Sequence, residues 1–201
     1  MTKSQNNARS SMYKYLSLAI DYPTGQTADL LGSGMFFTES AVQLKALPSA
    51  YQDLADSLFM LKEKLAAFEN LEDLQVVYTT LFDLAVNKPS YSLYESVNIM
   101  PTAKAEKIAV FLADLETLYG SQGIILSDRD MPDHLATELE FMHFLCSQKN
   151  IEQQIHFLNA HLMNWVPLLA QQLSNQTRGN FYPLLIIFIA QFLDIDHREL
   201  V

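Results

Sequence analysis

Apolar residues recur at steps of three and four along most of this chain, and this spacing is typical of helices. The clearest run has six members: Tyr51, Leu54, Leu58, Leu61, Leu65 and Phe68. Side chains with this spacing share one face of a helix, whereas a strand alternates apolar and polar residues. The run is too short for a coiled coil and other helical runs follow it, so it predicts a bundle within one chain.

The same spacing predicts helices in other segments. They are residues 12–20, 71–85, 103–119, 131–145, 150–173 and 181–193. No segment shows the alternation of a strand, and we find no internal repeat. We therefore predict an all-α fold, a single-domain helical bundle that spans residues 1–201.

The segments between these helices are expected to be irregular. Residues 21–48 are weakly patterned, and residues 90–101 form a loop rich in aromatic side chains. Gly120 is a natural C-cap for the helix before it, and residues 120–130 are the best candidate for an internal hinge. Pro167 is expected to kink its helix because it lacks an N–H donor.

Composition and charge exclude several classes of protein. The chain has 201 residues and is 49% hydrophobic, which is enough for one sizeable core. Its formal charge of −10 argues against a nucleic-acid binder, since phosphate binding needs clustered Lys and Arg, and favours a basic partner. Its six glycines form no phosphate-binding loop, so no nucleotide cofactor is expected from a standard motif.

Three features favour a cytoplasmic protein. Cys146 is the single cysteine and lies among apolar residues, so we expect an inert buried thiol in a reducing compartment. Residues 1–11 are polar and are not expected to be a signal peptide. The longest apolar run, residues 184–190, is far shorter than a membrane span, and we expect a buried core helix there.

The most distinctive polar motif is the corner from Asp130 to His134, at the start of a strongly amphipathic helix. The apolar face of that helix is formed by Leu135, Leu139, Met142 and Leu145. In one interpretation Asp130 caps the helix, with Pro132 in the first turn and Asp133 complementing the helix dipole. In the other, the corner binds a partner.

Metal and nucleophile motifs are weak in this chain. His134 and Glu138 are four residues apart, but the His-Glu-x-x-His pattern of zinc enzymes is absent and Cys146 has no neighbouring cysteine, so we expect no metal. The Gly-x-Ser-x-Gly motif is also absent. Two other interpretations stay open at this point: a small helical enzyme that uses His134 with Glu138, and an adaptor bundle that binds a partner helix.

Four segments in order resemble a known family. They are Leu74-Gln-Val-Val-Tyr-Thr-Thr-Leu-Phe82, Pro89 with Tyr94-Glu-Ser-Val97, Pro132-Asp-His-Leu-Ala-Thr-Glu-Leu-Glu-Phe-Met142, and Phe157-Leu-Asn-Ala-His-Leu-Met-Asn-Trp165 followed by Phe181-Tyr182. This set resembles the TorD/DmsD/NarJ family of redox-enzyme maturation chaperones. The resemblance covers residues 74–194, and the N-terminal third matches only as helices.

The resemblance implies a TorD-like, all-helical cytoplasmic chaperone rather than an enzyme. Such a chaperone binds the twin-arginine leader or the apo form of a molybdopterin-dependent oxidoreductase subunit and holds it until cofactor insertion and export. From the residues themselves no cofactor of the chain's own is expected, and binding of guanine nucleotide or of the molybdenum cofactor is left open. The chain is expected to be a monomer or a dimer that swaps domains through residues 120–130.

The resemblance also implies where the leader binds. The matching positions are Leu81 and Phe82 at a helix end, Pro89, Tyr94 and Glu95 in the loop, and Pro132, Asp133 and His134 at the corner. A leader has a basic head and an apolar stretch, so its receptor needs carboxylates and an apolar groove. We expect Glu95, Asp133 and Glu138 to supply carboxylates, and Phe82, Tyr91 and Tyr94 to supply apolar surface. His134 is expected to orient Asp133 or to donate to a leader carbonyl.

Overall fold

The computed structural model describes residues 2–83, 91–127, 130–176 and 180–201, and these residues form helices joined by short connections. In chain order the α-helices are α1 (Lys3–Ile20), α2 (Gly25–Gly32), α3 (Met35–Ala46), α4 (Leu54–Leu65), α5 (Leu71–Phe82), α6 (Glu95–Ile99), α7 (Ala105–Ser121), α8 (Leu135–Gln148), α9 (Ile151–Phe157), α10 (Met163–Gln176) and α11 (Phe181–Leu200). A 3₁₀ turn at Ser49–Asp53 precedes α4, and a π-helical turn at Leu158–Leu162 joins α9 to α10. The predicted all-α class is confirmed.

Helix α8 lies at the centre of the bundle, with α1 packed along it and α9 against its C-terminal end. Helix α11 forms a second centre, against α10 and α4. The predicted apolar face of α8 is buried at all four positions: Leu135, Leu139, Met142 and Leu145. A helix with one apolar stripe is stable only when that stripe is covered, and α1 covers it here.

Residues 21–48, expected to be irregular, contain the helices α2 and α3. Helix α2 has only 8 residues, too few to display a stripe. In α3 the apolar residues are not confined to one face, because Met35 and Val42 are exposed while Phe36 and Phe37 are buried. The helical period was therefore weak in the sequence even though both segments are helical.

Several helix ends differ from the prediction. Helix α7 continues to Ser121, and it is Gly123, at φ 82°, rather than Gly120, that takes the left-handed conformation after it. The π-helical turn interrupts the long helix predicted over residues 150–173, and Pro167 lies inside α10 shortly after it. The predicted kink and the predicted hinge stay predictions.

Helix α11 runs beyond residue 193 because its last turns carry a buried ion pair. The guanidinium of Arg9 in α1 donates to both carboxylate oxygens of Asp196, at 2.5 and 2.6 Å. The hydroxyls of Tyr13 and Tyr51 donate to the same carboxylate, and Arg9 also donates to Gln154 at 2.8 Å. A buried charge needs such compensation, so this network joins α1, α9 and α11.

Cys146 is fully buried near this network. Burial raises the pKa of its thiol to about 12, so the thiol is protonated near neutral pH and unreactive. Within the described helices, none is long and apolar enough to cross a membrane.

Candidate functional site

The loop before α6 pairs with the corner that precedes α8. Tyr94 and His134 form an isolated antiparallel bridge, and their rings meet edge to face at 5.1 Å. The Glu95 amide donates to the Asp133 carbonyl at 2.9 Å, and the Ser96 amide donates to the Asp133 carboxylate at 3.1 Å. The structure thus brings together four of the predicted site residues, which come from two distant segments.

Helix α8 begins later than the cap prediction placed it. Its N-cap is His134, whose Nδ1 accepts from the Ala136 amide at 3.2 Å. Asp130 instead accepts from the Ser127 hydroxyl at 2.7 Å, so its predicted role as the N-cap is wrong. The pairing with the Tyr94 loop holds residues 132–134 outside the helix. In the described structure the His134 ring accepts from Ala136 and makes no hydrogen bond to the Asp133 carboxylate, so it does not orient that carboxylate.

Three predicted carboxylates are buried: Glu95, Asp133 and Glu138 are 0%, 1% and 0% exposed. Glu95 Oε2 lies 2.9 Å from His161 Nδ1, and Trp165 Nε1 donates to Glu138 at 3.2 Å. These carboxylates therefore hold the Tyr94 loop, α8 and α10 together. Their predicted direct contact with a leader guanidinium stays a prediction, and in this conformation they face the interior.

Glu138 has a pKa well above its usual value. The largest cause is burial, followed by the charge of Glu95. Glu95 Oε1 and Glu138 Oε1 have no hydrogen-bond partner in the described structure. A proton on Glu138 would give this pair a donor. Because Glu138 points inward while His134 caps α8, the two do not form the acid–base pair that an enzyme would need.

An acidic pocket of about 300 Å³ opens beside His134. Four carboxylate side chains line it, and all four residues are exposed: Asp21, Asp83, Asp130 and Glu140. No Lys or Arg occurs among its described lining residues. The Asp83 amide donates to the Thr79 carbonyl, but no hydrogen bond or ion pair joins the Asp83 or Glu140 carboxylate to another described residue. The pocket therefore carries negative charge that no Lys or Arg among its described lining residues neutralises.

Sequence analysis missed Asp21, Asp83 and Glu140. Asp21 is the C-cap residue of α1 and Asp83 is the C-cap residue of α5. An acid at a helix C-terminus opposes the helix dipole and is unfavourable, so two such acids were a signal in the sequence that could have drawn attention to them. Glu140 lay on the polar face of α8, where nothing distinguished it from other surface acids.

His134 and Tyr94 also line the acidic pocket. Burial lowers the pKa of His134, and the charges of Asp21, Asp133 and Asp83 oppose that shift. Because Nδ1 accepts from the backbone, the neutral ring carries its proton on Nε2, where it is available as a donor.

The other predicted residues do not line the pocket. Phe82 is buried against Tyr78 and Tyr182, whereas Leu81 and Tyr91 pack at the edge of the core. Pro132 is buried, and its carbonyl accepts from Tyr119. Pro89 lies outside the described residues. No group of three metal-binding side chains occurs in the ranges that the structure covers.

An apolar groove of about 280 Å³ lies next to the acidic pocket. Its apolar walls are Tyr119, Ile124, Leu126, Phe141 and Phe144. The groove and the pocket share two lining residues of α8, Thr137 and Glu140, so they lie side by side on this helix. The site thus combines exposed carboxylates with adjacent apolar surface.

Comparison with known proteins identifies the family. The family model described as nitrate reductase delta subunit matches residues 44–171. The chain is 24% identical to the perchlorate reductase assembly chaperone protein of Dechloromonas aromatica, over 96% of this chain and 90% of that protein. It is 27% identical to the chaperone protein TorD of Shewanella piezotolerans, over 88% of this chain and 85% of that protein.

Two further matches support the same family. The selenate reductase assembly chaperone protein of Thauera selenatis is 31% identical, over 51% of this chain and 58% of that protein. A crystal structure described as a redox enzyme maturation protein from Archaeoglobus fulgidus has the same fold, with a TM-score of 0.56 at 21% identity over 92% of this chain and 93% of that one. The relatives are named as assembly chaperones and not as enzymes. The chain therefore belongs to the nitrate reductase delta subunit family, the TorD/DmsD/NarJ group of redox-enzyme maturation chaperones that its sequence resembles.

Proposed function

We propose that this chaperone binds the twin-arginine leader or the apo form of a molybdoenzyme subunit in the cytoplasm and holds it until its cofactor is inserted. The observation that carries the proposal is the acidic pocket beside His134, with four exposed carboxylates and no cation among its described lining residues. The names of the relatives, which are assembly chaperones for reductases, support the class of client.

Arginine side chains are suited to this pocket. A guanidinium is a planar, permanently charged group that forms paired hydrogen bonds with a carboxylate. The carboxylates of Asp83 and Glu140 are exposed and have no partner among the described residues, so they are available to an incoming peptide. The formal charge of −10 attracts a basic segment over a longer range, and salt screens that attraction.

The predicted corner residues then divide into two roles. Tyr94 and His134 line the pocket and contact the peptide, and His134 Nε2 donates to a leader carbonyl. Asp133, Glu95 and Glu138 are buried behind them and hold the Tyr94 loop against α8. In this proposal the buried carboxylates act by positioning the residues that bind.

The experiment compares charge-neutralising variants in binding to a fluorescent peptide with two consecutive arginines followed by an apolar stretch. Asp83→Asn with Glu140→Gln is expected to weaken binding by roughly tenfold or more at low salt, since each lost charged contact costs on the order of 1 kcal/mol. The difference is expected to shrink as salt rises.

The matched control is Asp114→Asn with Glu116→Gln, which removes the same charges from the exposed surface of α7. It is expected to retain nearly wild-type affinity. A peptide with lysines in place of the arginines is expected to bind more weakly, because lysine lacks the paired geometry. Equal affinity of both double variants, or no binding of the arginine peptide to the wild type, would overturn the proposal.

A further inference from the structure

The acidic pocket and the apolar groove follow one another along α8. The pocket lies at the N-terminal end of the helix, around His134 and Ala136, and the groove extends to Phe144 and Ser147. At 1.5 Å per residue, the helix advances roughly 20 Å between the first and last of these positions. An extended peptide covers that length with about six residues.

The groove is open to an apolar partner. Phe144, Ile124 and Leu126 are only partly buried against the core. Ile125 lies between Ile124 and Leu126, in the segment that follows α7, and its side chain is 94% exposed. A bound apolar segment would cover these side chains and gain the free energy of burying them.

The charge of the adjoining pocket specifies what the groove accepts. The groove adjoins a pocket whose described lining has four exposed carboxylates and no Lys or Arg, and Glu140 lines both. A segment that is apolar throughout would leave these carboxylates unpaired, and one that is basic throughout would bury charge against Phe141 and Phe144. The surface therefore suits a segment whose basic and apolar parts are adjacent.

We propose that this surface fixes the direction of the bound leader. The arginines lie in the acidic pocket and the apolar residues that follow them lie in the groove, so the leader runs parallel to α8. This inference rests on the proposed function, and adds to it that the chaperone distinguishes a basic-then-apolar order from the reverse order.

The first test uses two peptides with the same composition, one with the arginine pair before the apolar stretch and one with the arginine pair after it. The forward peptide is expected to bind at least tenfold more tightly. A photoreactive group placed after its apolar stretch is expected to crosslink near Phe144 and Ser147, and one placed before the arginines near Asp21 and Asp83. Equal affinities of the two peptides, or crosslinks at the opposite ends of the surface, would overturn the proposed direction of the leader.

The second test separates the groove from the pocket. Phe144→Ser is expected to weaken the forward peptide about tenfold or more and to leave a short arginine-only peptide unaffected. Ile125→Ser, at a position 94% exposed and so without consequence for folding, is expected to act in the same direction more weakly. The control is Val110→Ser, an exposed apolar position on α7.

The outcomes distinguish this inference from the proposed function. If arginine peptides bind in the acidic pocket while Phe144→Ser and Ile125→Ser have no effect on any peptide, the groove assignment is wrong and the proposed function stands. If no arginine peptide binds the wild-type chain, both are wrong.

Discussion

The acidic residues around His134 differ in burial, and burial decides their chemistry. Glu95 and Glu138 are fully buried, and desolvation together with the charge of Glu95 raises the pKa of Glu138, which favours its protonated form. Asp83 and Glu140 are exposed and line the acidic pocket. The first pair stabilises the fold around the site, whereas the second pair is available to a charged partner.

The raised pKa of Glu138 predicts that stability depends on pH. Because the folded state binds this proton more tightly than the unfolded state, the contribution of Glu138 is fully present below its unfolded pKa of about 4.5 and is lost as pH rises towards the folded pKa. We expect the free energy of unfolding of Glu138→Gln to decline less than that of the wild type between about pH 5 and pH 8. Urea denaturation at several pH values measures this difference.

Glutamine stays neutral, can accept from Trp165 and can donate to Glu95, so it imitates the protonated side chain. The control for this prediction is Glu140→Gln, the same change at an exposed position, which is expected to follow the wild-type pH dependence. Parallel pH profiles for Glu138→Gln and the wild type would show that Glu138 is ionised in the folded protein.

At the scale of elements, several residues of the candidate site are the cap residues of helices. The C-caps of α1 and α5 are the acids Asp21 and Asp83, which the helix dipole disfavours. The N-cap of α8 is His134, an unusual residue there, since Ser, Thr, Asp and Asn are preferred. At these ends, residues that are unfavourable for helix stability line the acidic pocket.

The junction of α8 and α9 offers a stabilising substitution. Lys149 is the C-cap of α8 and has a left-handed backbone, with φ 58°. Because glycine adopts this conformation without strain, Lys149→Gly is expected to raise the free energy of unfolding by up to about 1 kcal/mol. Chemical denaturation checks the sign of the change.

The same substitution in the middle of α1 provides the control. Lys14 is exposed and helical, so Lys14→Gly is expected to lower the free energy of unfolding by about 1 kcal/mol. A loss of stability for both variants would contradict the strain assigned to Lys149.

At the scale of the whole molecule, the buried Arg9–Asp196 pair joins α1 to α11 from opposite parts of the sequence. Trp165 is fully buried in α10 and donates to Glu138 of α8. Both contacts connect segments that are far apart in the chain. The helices of the bundle are therefore expected to unfold together, in one step, rather than one after another.

This connectivity predicts one cooperative unfolding transition. Trp165 is the single tryptophan, so its fluorescence reports the interior around α8 and α10, while circular dichroism reports all the helices. The two signals are expected to give the same midpoint and slope in urea. If the helix signal were lost at a lower urea concentration than the tryptophan signal, residues 1–201 would consist of more than one unit that unfolds separately.

The sequence predicted the buried faces of the helices well, because the 3.6-residue period is a local property that survives without any tertiary contact. Leu135 and Leu139 are buried as expected. The period failed in α3, where exposed Val42 and buried Phe37 obscure it. The resemblance to the family could also be detected in the sequence, because the motif from Pro132 to Met142 is continuous in the chain.

The sequence alone determined that this protein is an all-α bundle of the maturation-chaperone family, with its distinctive chemistry near His134. Only the tertiary structure decided which acids are accessible. Asp21, Asp83 and Glu140 lie on three different helices and become neighbours only when those helices pack, whereas Glu138 lies on the same helix as Glu140 but is turned inward. Burial depends on contacts between distant segments, and for that reason the local pattern could not separate the exposed carboxylates from the buried ones.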